Sequence, residues 1–232
     1  MKKLILPMAA IVGMTVATGA HAQFGGMPKL GLPGMPGASQ SSSPAPAVDI
    51  DTFLESANLA KSLVEASVTH IAAAVGAKEQ VQEIMDRREA ANKITNPQEK
   101  DAALKKIASD EIAIIGAADA DAVSKKLAAE KNQTKAKELG ASIYNLVLGL
   151  LKDKDAFEQG QALIKQIQSN PMNAARMAPK IVRLKEVLGS IGSQISATPT
   201  LLKSAKALAT VAKVAKLPAS SSEAPKKSSD AL

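Results

Sequence analysis

The sequence predicts an all-α protein: a single-domain helical bundle of six to seven amphipathic helices with disordered N- and C-terminal segments. Apolar residues recur at steps of three and four along most of the chain, which is the period of a helix. Ala, Leu, Ile and Val supply most of the apolar side chains, and the 232 residues include three Phe, one Tyr and no Trp. This composition favours helices over strands. No strand pattern and no fixed-period repeat emerges from the sequence.

The N-terminus has the three parts of a secretory signal peptide. A cationic M-K-K start precedes a short apolar run from Leu4 to Gly19, and Ala20-His21-Ala22 forms an A-x-A cleavage site. We expect cleavage after Ala22, so that residues 1–22 are a signal peptide and the mature protein is periplasmic or extracellular. A retained membrane anchor is the alternative.

Residues 23–48 form a linker rich in Gly, Pro and Ser, which we expect to be disordered. Its prolines oppose helix and sheet, and its polar second half cannot bury enough apolar surface to become ordered. Four apolar side chains are spaced so that they could dock on a partner: Met27, Leu30, Leu32 and Met35. A plain flexible tether is the alternative interpretation of this segment.

The α-helical domain is expected to span residues 49–217. Its first helix begins at Asp49 or Asp51, since either residue suits the N-cap position. The apolar stripe of this helix runs to Gly76, which ends or bends it. A second helix, from Lys78 to Lys93, has three apolar side chains that we expect inside: Val81, Ile84 and Met85.

The segment Asn96-Pro97-Gln98-Glu99 predicts the start of a third helix. Asn96 caps the helix, Pro97 fits its first position, and Glu99 completes a capping-box arrangement. Gly116 is placed for the C-cap of this helix. A long fourth helix then begins at Asp119 or Asp121 and continues into the most apolar part of the mature chain.

That apolar part runs from Ser142 to Leu151, with the sequence S-I-Y-N-L-V-L-G-L-L. Almost its whole circumference is hydrophobic, so we expect it to be buried with the other helices packed around it. It is too short to cross a bilayer, which takes roughly 20 apolar residues. The upstream half of the same helix, from Lys125 to Glu138, is expected to be solvated.

Three further helices complete the predicted bundle. Asp153 or Asp155 is expected to start a fifth helix, which stops at Asn170-Pro171. A sixth helix has Pro179 in its first turn, and Thr198-Pro199 opens a seventh by the same cap-then-proline signal. The Ser-rich segment that follows, residues 218–232, is expected to be a disordered tail.

Charge is distributed unevenly along the helical domain. Residues 49–151 contain 13 basic and 16 acidic residues, a net charge of −3, whereas residues 152–217 contain 11 basic and 4 acidic residues, a net charge of +7. This asymmetry marks either a binding face or two halves that attract each other. Four lysines fall at helical spacing on one side of the last helix, which extends to about residue 216: Lys203, Lys206, Lys213 and Lys216. Such a basic face can lie on anionic lipid, face an acidic partner, or be solvated.

The sequence offers little material for enzymatic or cofactor chemistry. The chain has no cysteine, which removes thiol nucleophiles, thiolate metal sites and disulfides. Apart from His21 in the signal peptide, His70 is the one histidine, and an enzyme would use it with Glu65 or Glu79. We interpret the acidic pairs Asp119/Asp121 and Asp153/Asp155 as helix N-caps. No cofactor and no metal are expected.

These patterns predict an exported, non-enzymatic protein with a binding or structural role in the cell envelope, through helix-face contacts with an envelope protein. One alternative is peripheral association with an anionic membrane surface through the basic C-terminal helix, and another is an enzyme that uses His70. Nucleic acid is excluded as a partner because arginines are few, aromatic stacking surfaces are lacking, and exported proteins rarely meet it.

Overall fold

A computed structural model describes residues 50–129, 133–169 and 175–227, which belong to one compact unit. Six helices and no strand are found among these residues, so the predicted all-α bundle is confirmed. None of these helices is long and apolar enough to cross a membrane. The helices are α1 (Ile50–Val75), α2 (Lys78–Asn92), α3 (Pro97–Gly116), α4 (Ala120–Ala129), α5 (Gln133–Gln168) and α6 (Ala178–Val211).

The core of the bundle consists of α1, α5 and α6. Helices α1 and α5 pack antiparallel at two glycines, because Gly149 lies against Val64 while Gly160 lies against Phe53 and Leu188. A Cβ on Gly149 would be 2.7 Å from Val64 Cγ2 and 3.2 Å from the Val64 backbone nitrogen. The two helices therefore approach more closely there than any side chain on residue 149 would allow.

The apolar run that the sequence singled out is buried as predicted. Ile143, Leu146 and Leu148 have no exposed surface, and α1 and α6 pack against this part of α5. The α5 residues of one apolar cluster end at Leu150, and those of a second cluster begin at Ala156. The core is thus divided along α5 into two apolar halves.

Helices α2 and α3 form an outer layer on α1. The N-cap of α3 is the predicted one, because Asn96 Oδ1 accepts hydrogen bonds from the N–H groups of Gln98 at 2.9 Å and Glu99 at 3.4 Å. The C-terminus of α3 is also close to the prediction, since the helix ends at Gly116. In α2, by contrast, Met85 is 59 % exposed instead of buried. This helix contacts its neighbours over a narrower face than its apolar residues suggested.

A buried ion pair ties the outer layer to the core. Glu111 of α3 is 1 % exposed and accepts a hydrogen bond of 2.6 Å from Arg88 of α2. Thr69 of α1 accepts a second bond from Arg88, at 3.0 Å, and donates to Glu111 at 3.3 Å. Three helices therefore meet at one polar cluster, whose charged members offset each other's cost of burial.

The prediction that a helix starts at Asp153 or Asp155 is wrong. Helix α5 continues through both residues to Gln168, and Asp153 is a fully buried residue in its middle. The helix start predicted from the other acidic pair is confirmed at Asp119. Its carboxylate accepts a hydrogen bond of 3.0 Å from the N–H of Asp121 at the start of α4. Asp153 lies on a face that α1 and α6 cover, and continuing the helix keeps that face packed.

The predicted break at Thr198-Pro199 is wrong for a related reason. Helix α6 begins near Pro179 as expected, but it passes through Pro199 to Val211. Buried apolar residues on both sides of the proline, Ile191 and Leu201, hold the helix against the core. This packing offsets the backbone hydrogen bond that a proline cannot donate.

The end of α6 lies several residues before the predicted end near Lys216. Lys213 adopts a left-handed conformation with φ of 55°, and the N–H of Val214 donates to the carbonyl of Ala209 at 2.9 Å. This arrangement is a Schellman C-cap, which is usually built on a glycine. Residues 212–217 consequently leave the helical axis and lead into a non-helical C-terminal segment.

Candidate functional site

A groove of about 750 Å³ opens between α1, α4, α5 and the C-terminal segment. Its floor is apolar, because Leu139 and Ala141 of α5 are buried there. Its rim is polar and mostly cationic. The charged and polar lining residues are His70, Lys126, Lys135, Glu138, Ser142, Asn145, Lys226 and Lys227.

Two of the lysines at the groove are held in place by contacts within the protein. Lys126 of α4 donates from Nζ to the carbonyl of Ala74 on α1, at 3.1 Å. Lys226 places its Nζ 4.5 Å from the centre of the Tyr144 ring, a distance suited to a cation–π contact. The lining has four lysines and one glutamate, so its net charge favours an anionic ligand.

His70 lies at this groove, on the exposed side of α1. Within the part of the chain that the structure describes, its ring forms no hydrogen bond and no ion pair. The two carboxylates that an enzyme would pair with it lie elsewhere, and Glu65 is 3.5 Å from the amine of Lys61. The structure therefore does not bring together the acid–base pair that the enzymatic alternative requires.

The four lysines predicted to line one side of the last helix are all exposed, but they do not share one helix. Lys203 and Lys206 lie on α6, whereas Lys213 and Lys216 follow its end at Val211. The prediction of a continuous basic helical face is therefore wrong for its second half. The other predicted contact residues lie outside the described residues: Met27, Leu30, Leu32 and Met35.

Residues 218–227, which we call the strap, have no helix or strand and lie along α5. The side-chain amide of Asn145 forms two hydrogen bonds with the backbone of one strap residue. It donates to the carbonyl of Lys226 at 2.9 Å and accepts from the N–H of Lys226 at 2.8 Å. Residues 228–232 of the predicted tail lie outside the described residues.

Side chains strengthen this attachment near the middle of the strap. The phenol of Tyr144 donates to Glu223 Oε2 at 2.6 Å, and the other oxygen of Glu223 accepts from the N–H groups of Ala219 at 2.7 Å and Ser220 at 3.2 Å. Burial, together with the hydrogen bond and the negative charge of Glu223, raises the pKa of Tyr144 to about 12. The bond to Tyr144 in turn lowers the pKa of Glu223.

The beginning of the strap is attached about two to three helical turns further along α5. The amine of Lys152 donates to the carbonyl of Ser221, and the hydroxyl of Ser221 donates to Asp155. Lys152 is only 6 % exposed, and desolvation lowers its pKa although Asp155 opposes this effect. A polar strip of α5 thus faces the strap, and it consists of Tyr144, Asn145, Lys152 and Asp155.

The strip was not predicted, because almost the whole circumference of the run from Ser142 to Leu151 is hydrophobic and burial in the core was expected for it. Asn145 is a fully polar side chain within that run, and Tyr144 beside it carries a hydroxyl. A buried amide or hydroxyl needs a hydrogen-bond partner. These two residues were the available signal that another segment of the chain lies on this face of α5.

A second polar feature lies inside the bundle, between the two apolar halves of the core. Both carboxylate oxygens of Asp153 are buried and have no hydrogen-bond partner in the described structure, and the same is true of Gln194 Oε1 on α6. The amide nitrogen of Gln194 donates to the carbonyl of Lys61 at 3.4 Å. Desolvation and the nearby charge of Glu65 raise the pKa of Asp153 to about 7, while Lys61 acts in the opposite direction.

No cluster of three or more metal-ligating side chains occurs within residues 50–129, 133–169 and 175–227. Comparison of the chain with protein-family models, with curated proteins and with solved structures finds no match. The groove, the strap and the polar strip of α5 therefore carry the functional argument by their chemistry alone.

Proposed function

We propose that the protein is an exported, non-enzymatic binding protein of the cell envelope, and that the cationic groove binds an acidic segment of an envelope protein. The charge of the groove carries this proposal. Among the described lining residues, four lysines surround an apolar floor and Glu138 is the one carboxylate. Acidic side chains of a partner would meet the lysines, while its apolar groups would cover Leu139 and Ala141.

Export rests on the N-terminal pattern of the sequence, which the proposal takes as a cleaved signal peptide. Among the described residues His70 forms no hydrogen bond with a carboxylate, so the proposal assigns it no catalytic role. An acidic partner protein is also favoured over anionic lipid, because α6 ends at Val211 and its lysines do not form one continuous basic helical face. Large apolar anchors, which a helix lying in a membrane surface needs, do not accompany these lysines.

The proposal can be tested by site-specific photocrosslinking in cells that export the protein. A photoreactive amino acid replaces Ala73, which is exposed at the groove, or Leu59, which is 49 % exposed elsewhere on the same helix. We expect a discrete protein adduct from position 73 and none from position 59. Mass analysis of the same sample should show an N-terminus at Gln23.

Two charge-reversal variants, one at the groove and one away from it, serve as the test and its matched control. The double variant Lys126→Glu/Lys227→Glu, which changes the groove, should abolish the adduct. Lys154→Glu/Lys185→Glu changes the same net charge on exposed lysines away from the groove and should preserve it. An adduct that persists after reversal of the groove charges would refute the acidic-partner proposal. An adduct with lipid instead of protein would establish the membrane alternative.

A further inference from the structure

The contacts between the strap and α5 have the form of peptide recognition. Asn145 uses both ends of its amide to bind the N–H and the carbonyl of one residue, Lys226. These two hydrogen bonds involve the backbone of Lys226 and not its side chain. Any non-proline residue at this position could therefore form them. A protein that adds an extended segment to its surface uses the same kind of main-chain bonding for affinity.

The side-chain contacts add a sequence pattern to this backbone recognition. A hydroxyl at Ser221 donates to Asp155, and a carboxylate two residues later accepts from Tyr144. Three residues after that carboxylate, the backbone is held by Asn145 and the amine of Lys226 lies over the Tyr144 ring. The strip therefore selects the pattern Ser-x-Glu-x-x-Lys in a segment that makes a turn at residues 220–223, where the N–H of Glu223 donates to the carbonyl of Ser220 at 3.3 Å.

The strap covers its site loosely. Half of its ten residues are exposed, and hydrogen bonds and one cation–π contact attach others to α5; the exposed residues are Ala219, Ser220, Ser222, Ala224 and Lys227. A hydrogen bond within the protein replaces one to water, so its net contribution to the free energy of folding is small. A segment attached by such bonds belongs to the least stable part of a fold. Another segment with the same polar groups can therefore replace the strap without disturbing the apolar core.

We propose that the polar strip of α5 is a binding surface for a segment of another polypeptide that has the pattern Ser-x-Glu-x-x-Lys and turns as the strap does, and that the strap occupies this surface until such a segment displaces it. The inference rests on the proposed binding function and deepens it, because Lys226 and Lys227 of the strap also form one wall of the groove. Displacement of the strap would uncover the strip and take Lys226 and Lys227 away from the groove, so the two sites are coupled.

A fluorescent synthetic peptide with the sequence of residues 218–227 serves as the probe. The full chain is compared with the full-length variant Glu223→Gln/Lys226→Pro, which leaves α5 intact. The first substitution removes the carboxylate that Tyr144 binds, and the second removes the N–H that Asn145 binds. In the unaltered chain the tethered strap competes at an effective concentration on the order of millimolar. We expect the peptide to bind the variant at least about tenfold more tightly than the unaltered chain.

A third substitution tests the site itself. Asn145→Ala in the Glu223→Gln/Lys226→Pro background should weaken peptide binding about tenfold or more, since it removes both backbone bonds. Asn92→Ala, on an exposed position of α2, should leave it unchanged. Equal peptide affinity for the unaltered chain and the strap variant would overturn the inference, and so would insensitivity to Asn145→Ala. Either result would leave the crosslinking test of the groove intact, so the two proposals fail separately.

Titration of Tyr144 shows independently whether the strap has left α5. It is the single tyrosine of a chain without tryptophan, so phenolate absorbance reports this residue alone. Its pKa of about 12 in the unaltered chain depends on burial and on Glu223. The single variant Lys226→Pro retains Glu223, so a lower pKa of Tyr144 in this variant reports release of the strap and not loss of the carboxylate, while an unchanged circular dichroism spectrum shows that the bundle is folded. A pKa that stays near 12 in Lys226→Pro would contradict release.

Discussion

Replacement of Asp153 by Asn should remove most of the pH dependence of stability between about pH 5 and about pH 8. Asp153 lies in the middle of α5, without exposed surface, and neither carboxylate oxygen has a partner among the described residues. An ionised carboxylate in this position is costly because burial removes its water without supplying hydrogen bonds. Asn keeps the size of the side chain but does not titrate.

The sign and size of the effect follow from the raised pKa. Desolvation and Glu65 raise the pKa of Asp153 from 3.8 to about 7, so the folded protein holds this proton more tightly than the unfolded chain does. Its contribution to stability is greatest below the unfolded pKa and is lost as the pH rises to about 7. The difference in pKa corresponds to about 4 kcal/mol in total, of which about 3 kcal/mol falls between pH 5 and pH 8.

The assay is urea unfolding followed by circular dichroism at both pH values. The free energy of unfolding of the unaltered chain should be lower at the higher pH by about 3 kcal/mol. Asp153→Asn should remove most of this difference in the free energy of unfolding. Glu158→Gln, an exposed acid-to-amide change on the same helix, should preserve it. If Asp153→Asn retained the full pH dependence, the argument from its burial would be refuted.

Two further predictions concern packing and the buried ion pair. Gly149→Ala should destabilise the protein by about 1–3 kcal/mol in the same urea assay, because the new Cβ would press on Val64, whereas Gly189→Ala meets no atom within 4 Å and should be neutral or stabilising. Arg88→Met should cost about 3–5 kcal/mol because it leaves Glu111 buried and unpaired. Arg87→Met, whose more exposed pair is 2.7 Å long, should cost less than about 1 kcal/mol, and similar losses for the two arginines would contradict this account.

The parts of the fold that the sequence predicted depend on signals within a few residues. Asn96 and Pro97 mark a helix start because the cap and its acceptors are neighbours in the chain. The apolar run around Leu146 indicated burial because its own composition requires it. Such features need no knowledge of distant segments, and the structure agrees with them.

The wrong predictions share a different cause. Asp153 and Pro199 have the local chemistry of helix starts, but packing on both sides of each residue keeps its helix continuous. The contacts of the strap could not be predicted from the sequence, because its partners on α5 lie 66 to 81 positions away. The groove was missed for the same reason, since its lining comes from α1, α4, α5 and the strap.

The length of α1 sets the distance between the start of the described chain and the groove. The described chain enters the bundle at Ile50, and the groove lies near the other end of α1, at His70. Twenty residues of helix separate these points by roughly 30 Å. A molecule attached through residues before Ile50 and a second one bound in the groove would thus be kept apart by a rigid rod. In that geometry the length of α1 would set the separation of the two attached molecules.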